Sequence, residues 1–79
     1  MDNNLREQIR IIEQWAKQKE RSSLVIINEL VDNQPFTSNS VVAKDENATA
    51  MLTLGILSLM KQSKDFASII DTALNIYKK

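Results

Sequence analysis

Asp45 and Glu46 are the only adjacent carboxylates in the chain, and so the first place to look for chemistry. Paired carboxylates can ligate a hard cation, or divide into a general acid and a general base. Here they have no companions: no EF-hand spacing and no further acidic cluster surrounds them. The pair reads as the solvated start of a helix. The chain contains no histidine and no cysteine. That removes the usual proton relay near neutral pH, the activated thiol and the common zinc ligands. Gly55 is the single glycine, whereas phosphate-cradling loops require several. These residues predict a protein that is not an enzyme and uses no cofactor, no metal and no small-molecule substrate.

The elements that would position such residues must fit within 79 residues. One domain, 1–79, is the expectation, with a core only just able to offset the conformational entropy of folding. Without disulfides or a zinc site to help, self-association is the remaining aid. Ten basic and ten acidic side chains give a formal net charge of zero. The basic excess that carries affinity for phosphate backbones or anionic lipid is therefore missing, and nucleic acid is not the expected partner. The opening Met1-Asp2-Asn3-Asn4 has neither a basic nor an apolar stretch, so no secretory signal is expected and the location reads as cytoplasmic. The apolar run from Ala48 to Met60 falls short of the roughly 20 residues that span a bilayer and includes Thr49, Thr53 and Ser58. Asn47-Ala48-Thr49 matches a glycosylation sequon, which has no meaning in that compartment. Abundant Asn, Lys and Ile point to an AT-rich genome, in keeping with a bacterial or mobile-element regulator.

Apolar residues at Leu5, Ile9, Ile12 and Ala16 alternate spacings of four and three, behind an Asn4/Glu7 capping arrangement. The same register continues through Lys19 and Ser23 to Ile26 and Leu30. It predicts either one long helix from Leu5 to about Asp32 or a break at Ser22-Ser23. The absence of Gly or Pro there, and of Glu or Gln three residues beyond either serine, favours the single helix. Gln34-Pro35 ends it. Phe36 to Asn47 reads as a polar loop, with a second helix starting between Ser38 and Asn47 and running to about Gln62. Ser63 is the expected cap of a third helix through Tyr77, whose stripe is Phe66, Ile69, Ile70, Ala73, Leu74 and Tyr77. The fold class expected is all-α: a long N-terminal helix, a polar loop and two further helices, forming a bundle completed by dimerisation.

The second helix is apolar nearly all round and needs neighbours on more than one face. Leu52, Ile56, Ile70 and Leu74 are expected in the core, while Leu54 or Leu57 is expected in a self-association contact with one end of the first helix's seam. Gly55, costly inside a helix by about 1 kcal/mol, marks either a close backbone approach beside Ala48 or a tolerated defect. Trp15 borders the first stripe as an edge-of-core aromatic or a partner contact. Asp2 with Arg6, and Glu13 with Lys17, have the spacing of surface ion pairs. The function expected is a homo-oligomeric interaction module, meaning a small adaptor, inhibitor or assembly factor with a protein partner.

An alternative starts from Phe36-Thr37-Ser38-Asn39-Ser40-Val41-Val42-Ala43-Lys44, followed by Asn47-Ala48-Thr49-Ala50 and an apolar helix. This stretch resembles the first helix and recognition helix of winged-helix regulators, and the resemblance implies DNA binding. The chain departs from that pattern in having no Lys or Arg from Asp45 to Met60, no glycine in the turn and no sequence for a wing.

Overall fold

In the computed structural model, which describes residues 3–79, the N-terminal apolar seam divides into two unlike elements. Helix α1 spans Asn3–Lys17, strand β1 Ser23–Val31, strand β2 Gln34–Val42, helix α2 Glu46–Gln62 and helix α3 Lys64–Tyr77. The protein is therefore mixed α/β, with a two-stranded antiparallel sheet between α1 and α2. The all-α bundle, the single long N-terminal helix and the polar loop after Pro35 are all overturned by this hairpin.

Local chemistry accounts for the correction. Leu24-Val25-Ile26-Ile27 is a run of apolar, largely β-branched side chains, which favour a pleated strand over a helix. Asp32 and Asn33 have φ of 52° and 64°, the left-handed pair that closes a two-residue type I′ hairpin and that Asn and Asp tolerate. Such a turn makes Val31 and Gln34 a hydrogen-bonded pair, and bonding alternates from there through Glu29–Phe36, Ile27–Ser38 and Val25–Ser40. Pro35 opposes Leu30 in a non-bonded position, so its missing N–H faces outward and costs the ladder nothing.

The chain breaks between α1 and β1 where continuity was expected. Lys19 adopts φ 55°, and the Trp15 carbonyl oxygen accepts from the Gln18 amide at 3.3 Å and from Arg21 Nη1 at 3.1 Å. The Lys44 ammonium donates to the Lys19 carbonyl oxygen, tying this corner to the start of α2. Left-handed geometry at a non-glycine residue, held by two basic side chains, ends a helix that has no Gly or Pro to stop it.

Asp45 caps α2, its carboxylate accepting from the Ala48 amide at 2.8 Å. Ser63 is at once the last cap of α2, donating its amide to Leu59 O at 2.9 Å, and the first cap of α3, its hydroxyl accepting from the Phe66 amide at 3.1 Å. One extended residue thus joins the two helices. α1 lies on the sheet face that carries Val25, Ile27, Ser38, Ser40 and Val42, and there Ile9, Ala16 and Val42 are buried, with Ala48 at the start of α2. α3 makes its substantial contact with α2 and buries no residue fully. Leu52, Ile56 and Ile70 are half-buried between elements, whereas Leu74, expected in the core, is exposed.

Candidate functional site

The adjacent carboxylates Asp45 and Glu46 stand at the start of α2. Asp45 is the cap just described and Glu46 is an exposed first-turn residue. Among the described residues no group of three or more acidic, histidine or cysteine side chains converges on a point that a metal ion would occupy. Glu7 pairs with Arg10 at 2.6 Å on the open surface of α1. The hydrogen bond from Arg10 holds the Glu7 carboxyl below its ordinary value, and Glu7 in turn raises the Arg10 guanidinium. Glu13 accepts from the Ser40 hydroxyl at 2.7 Å. The Asp2–Arg6 pair lies outside the described residues.

Trp15 is half-exposed on the flank of α1, with the Arg21 guanidinium 4.1 Å above its ring. That stacked cation covers one face of the indole. Leu54 and Leu57 are exposed on α2, and Leu54 is open to 64%. Gly55 stands beside them with no atom within 4 Å of where a Cβ would lie. Within this chain, then, nothing approaches the glycine closely. The helix is open at that point.

Gly55 borders a groove of about 470 Å³, whose walls include Ile12, Leu24, Ile26, Ile56 and Phe66 and carry no charged side chain. A second hollow, of about 500 Å³, lies between Arg6, Arg10 and Glu13 of α1 and Phe36 to Asn39 of β2. Its Arg10 and Glu13 are already bonded within the chain. The structure gathers Gly55 with α1, β1 and α3 at the groove, and leaves Trp15, Leu54 and Leu57 outside that lining.

Sequence reasoning missed the outer face of the hairpin. On β1 this face carries Leu24, Ile26 and Leu30, exposed to 41%, 59% and 73%, and on β2 it carries Val41. The available signal was the unbroken Leu24–Ile27 run, because a strand covered on one face alternates polar and apolar residues and one covered on both does not.

The stretch resembling a winged-helix first helix is mostly β2, so the helix on which that resemblance rests is absent. Among the described residues no helix is long and apolar enough to cross a membrane. Comparison with known proteins adds no relative: no family model, curated protein or solved structure matches the chain.

Proposed function

We propose that this protein is a non-enzymatic interaction module, a small adaptor, inhibitor or assembly factor that works as a homo-oligomer in the cytoplasm and docks on a protein partner. One observation carries the reading: the chain exposes far more surface than a self-sufficient monomer of its mass. Its accessible area is 6628 Å² for 9.0 kDa, against about 4,850 Å² from the scaling of folded monomers. Its radius of gyration is 14.4 Å, against about 11.6 Å for a compact domain of this length. The exposed side chains include the apolar Ile11, Trp15, Leu54, Ile69 and Ile76, and large exposed apolar surface marks association sites.

Sedimentation equilibrium tests the homo-oligomer. A dimer or higher species should appear below about 100 μM, where an association contributing roughly 5 to 6 kcal/mol is already populated. A single ideal species of 9.0 kDa at that concentration overturns self-association. Affinity capture from the native host tests the heterologous partner, with a doubly substituted Leu54→Lys, Leu57→Lys chain as control. Recovery of the same proteins by both chains removes the second helix from the docking surface.

A further inference from the structure

We infer that the outer face of the hairpin, formed by Leu24, Ile26, Leu30 and Val41, is the seat of a second copy of this chain. The inference rests on the self-association proposed above and assigns the surface that performs it.

β1 is built as a strand covered on both faces. Its inner residues Val25 and Ile27 face α1, and its outer residues Leu24, Ile26 and Leu30 are equally apolar yet exposed, Leu24 and Ile26 at the open groove that α2 and α3 also border. A strand with one solvated face would carry polar residues there. A two-stranded sheet is also marginal by itself, and needs a further strand or a second packing layer to persist in water.

The occupant follows from area and charge. A stable interface buries about 800 Å² per partner, and the surface excess of about 1,800 Å² per chain over the monomer scaling is enough for one such contact on every copy. The outer face consists of Leu24, Ile26, Asn28 and Leu30 with Pro35, Thr37, Asn39 and Val41, none of them charged. The same patch can therefore meet itself across a two-fold axis without opposing like charges. Its polar centre is partly satisfied already, Thr37 Oγ1 donating to Asn28 Oδ1 at 2.7 Å.

The free edge of β1 separates this face from the other exposed apolar surface, on α2. A helix satisfies its own backbone, whereas the outward N–H and C=O groups of Leu24, Ile26, Asn28 and Leu30 form no bond among the described residues. Apolar side chains and unpaired backbone groups on the same four residues make a site that water serves poorly and a second chain serves well. This assignment leaves Leu54 and Leu57 outside the two-fold contact, available to a different protein.

The test is sedimentation equilibrium on the full chain and on four single variants. Ile26→Lys and Val41→Lys should each raise the dimer dissociation constant at least 10-fold with the far-UV circular dichroism unchanged. Leu54→Lys and Ile76→Lys should leave it within about 3-fold. A native chain that is monomeric overturns both the self-association reading and this inference. A native dimer insensitive to Ile26→Lys and Val41→Lys, or equally sensitive to Leu54→Lys, overturns the inference alone. Should the lysine variants unfold, isotope-filtered NMR on a mixed-label sample of the native chain decides: intermolecular contacts from the Ile26 and Val41 methyls support the hairpin face, and contacts confined to other methyls overturn it.

Discussion

The Ser40 hydroxyl, buried on β2, donates to the Glu13 carboxylate of α1 at 2.7 Å, across 27 residues of sequence. It is a polar tie between the helix and the hairpin, beside an apolar contact in which Ile9, Ala16 and Val42 are buried. A hydrogen bond to a charged acceptor contributes more than a neutral one, about 1.5 to 3 kcal/mol, and less when the pair is partly open to water. Glu13 is half-buried.

Ser40→Ala is therefore expected to cost about 1 to 2 kcal/mol in urea-induced unfolding. Glu13→Gln keeps an acceptor in place and should cost less than half as much. A Ser40→Ala variant as stable as the native chain would show that the bond contributes nothing net.

Asn33→Gly tests the turn. Asn33 sits at φ 64°, where glycine has no Cβ penalty and where Asn-Gly or Asp-Gly is the preferred type I′ pair. The variant should be more stable by a few tenths of a kcal/mol. Asn33→Val places a β-branched residue in left-handed geometry and should lose about 1 to 2 kcal/mol. Thermal unfolding of the two variants in parallel reads the sign. Equal midpoints would mean that the turn relaxes freely.

The two C-terminal helices are legible because their signals are local: the Ser63 hydroxyl accepts from the amide three residues on, and the stripe from Phe66 to Tyr77 needs no knowledge of neighbours. The start of α2, by contrast, stays open between Ser38 and Asn47, because that stretch offers several caps besides Asp45. The hairpin was illegible for two physical reasons. Ile26 and Leu30 fall by coincidence on the spacing of the α1 seam. An apolar run on both faces of β1, opposite a β2 with Ser38 and Ser40 on one face and Thr37 and Asn39 on the other, shows no period of two. The turn carries Asp-Asn in place of a glycine pair. Leu54, Gly55 and Leu57 can be singled out as a helix lacking cover, but the outer sheet face has no counterpart in a reading that makes Leu24, Ile26 and Leu30 helix and Thr37, Asn39 and Val41 loop.

The Glu7–Arg10 pair sets a pH dependence with a definite sign. The Arg10 hydrogen bond lowers the Glu7 pKa below its ordinary 4.5 in the folded chain. A carboxyl depressed on folding contributes stability above its unfolded value, and that contribution is lost as pH falls through the folded value. Both side chains are well exposed, so the effect on stability is small and screened by salt. An NMR titration should show the Glu7 carboxyl titrating lower than it does in an Arg10→Gln variant, with the gap narrowing in 1 M salt. Identical midpoints in the two chains would show that the pair does not persist in solution.

Ser63 bears on the far end of the molecule. It holds φ −133° and ψ 113°, and it caps both α2 and α3 at the one-residue joint between them. α3 buries no residue fully and packs on α2 without substantial support from the sheet, so its opening is a local event more than a global one. Loss of the hydroxyl in Ser63→Ala removes the acceptor for the Phe66 amide and should cost α3 about 1 kcal/mol. Hydrogen exchange separates the local from the global effect. Protection in α3 should fall roughly 5-fold while amides of Val25 and Ile27, bonded across the hairpin, keep theirs. A uniform loss over both regions would mean that the helix pair and the sheet unfold as one unit, and that α3 draws its support from more than α2.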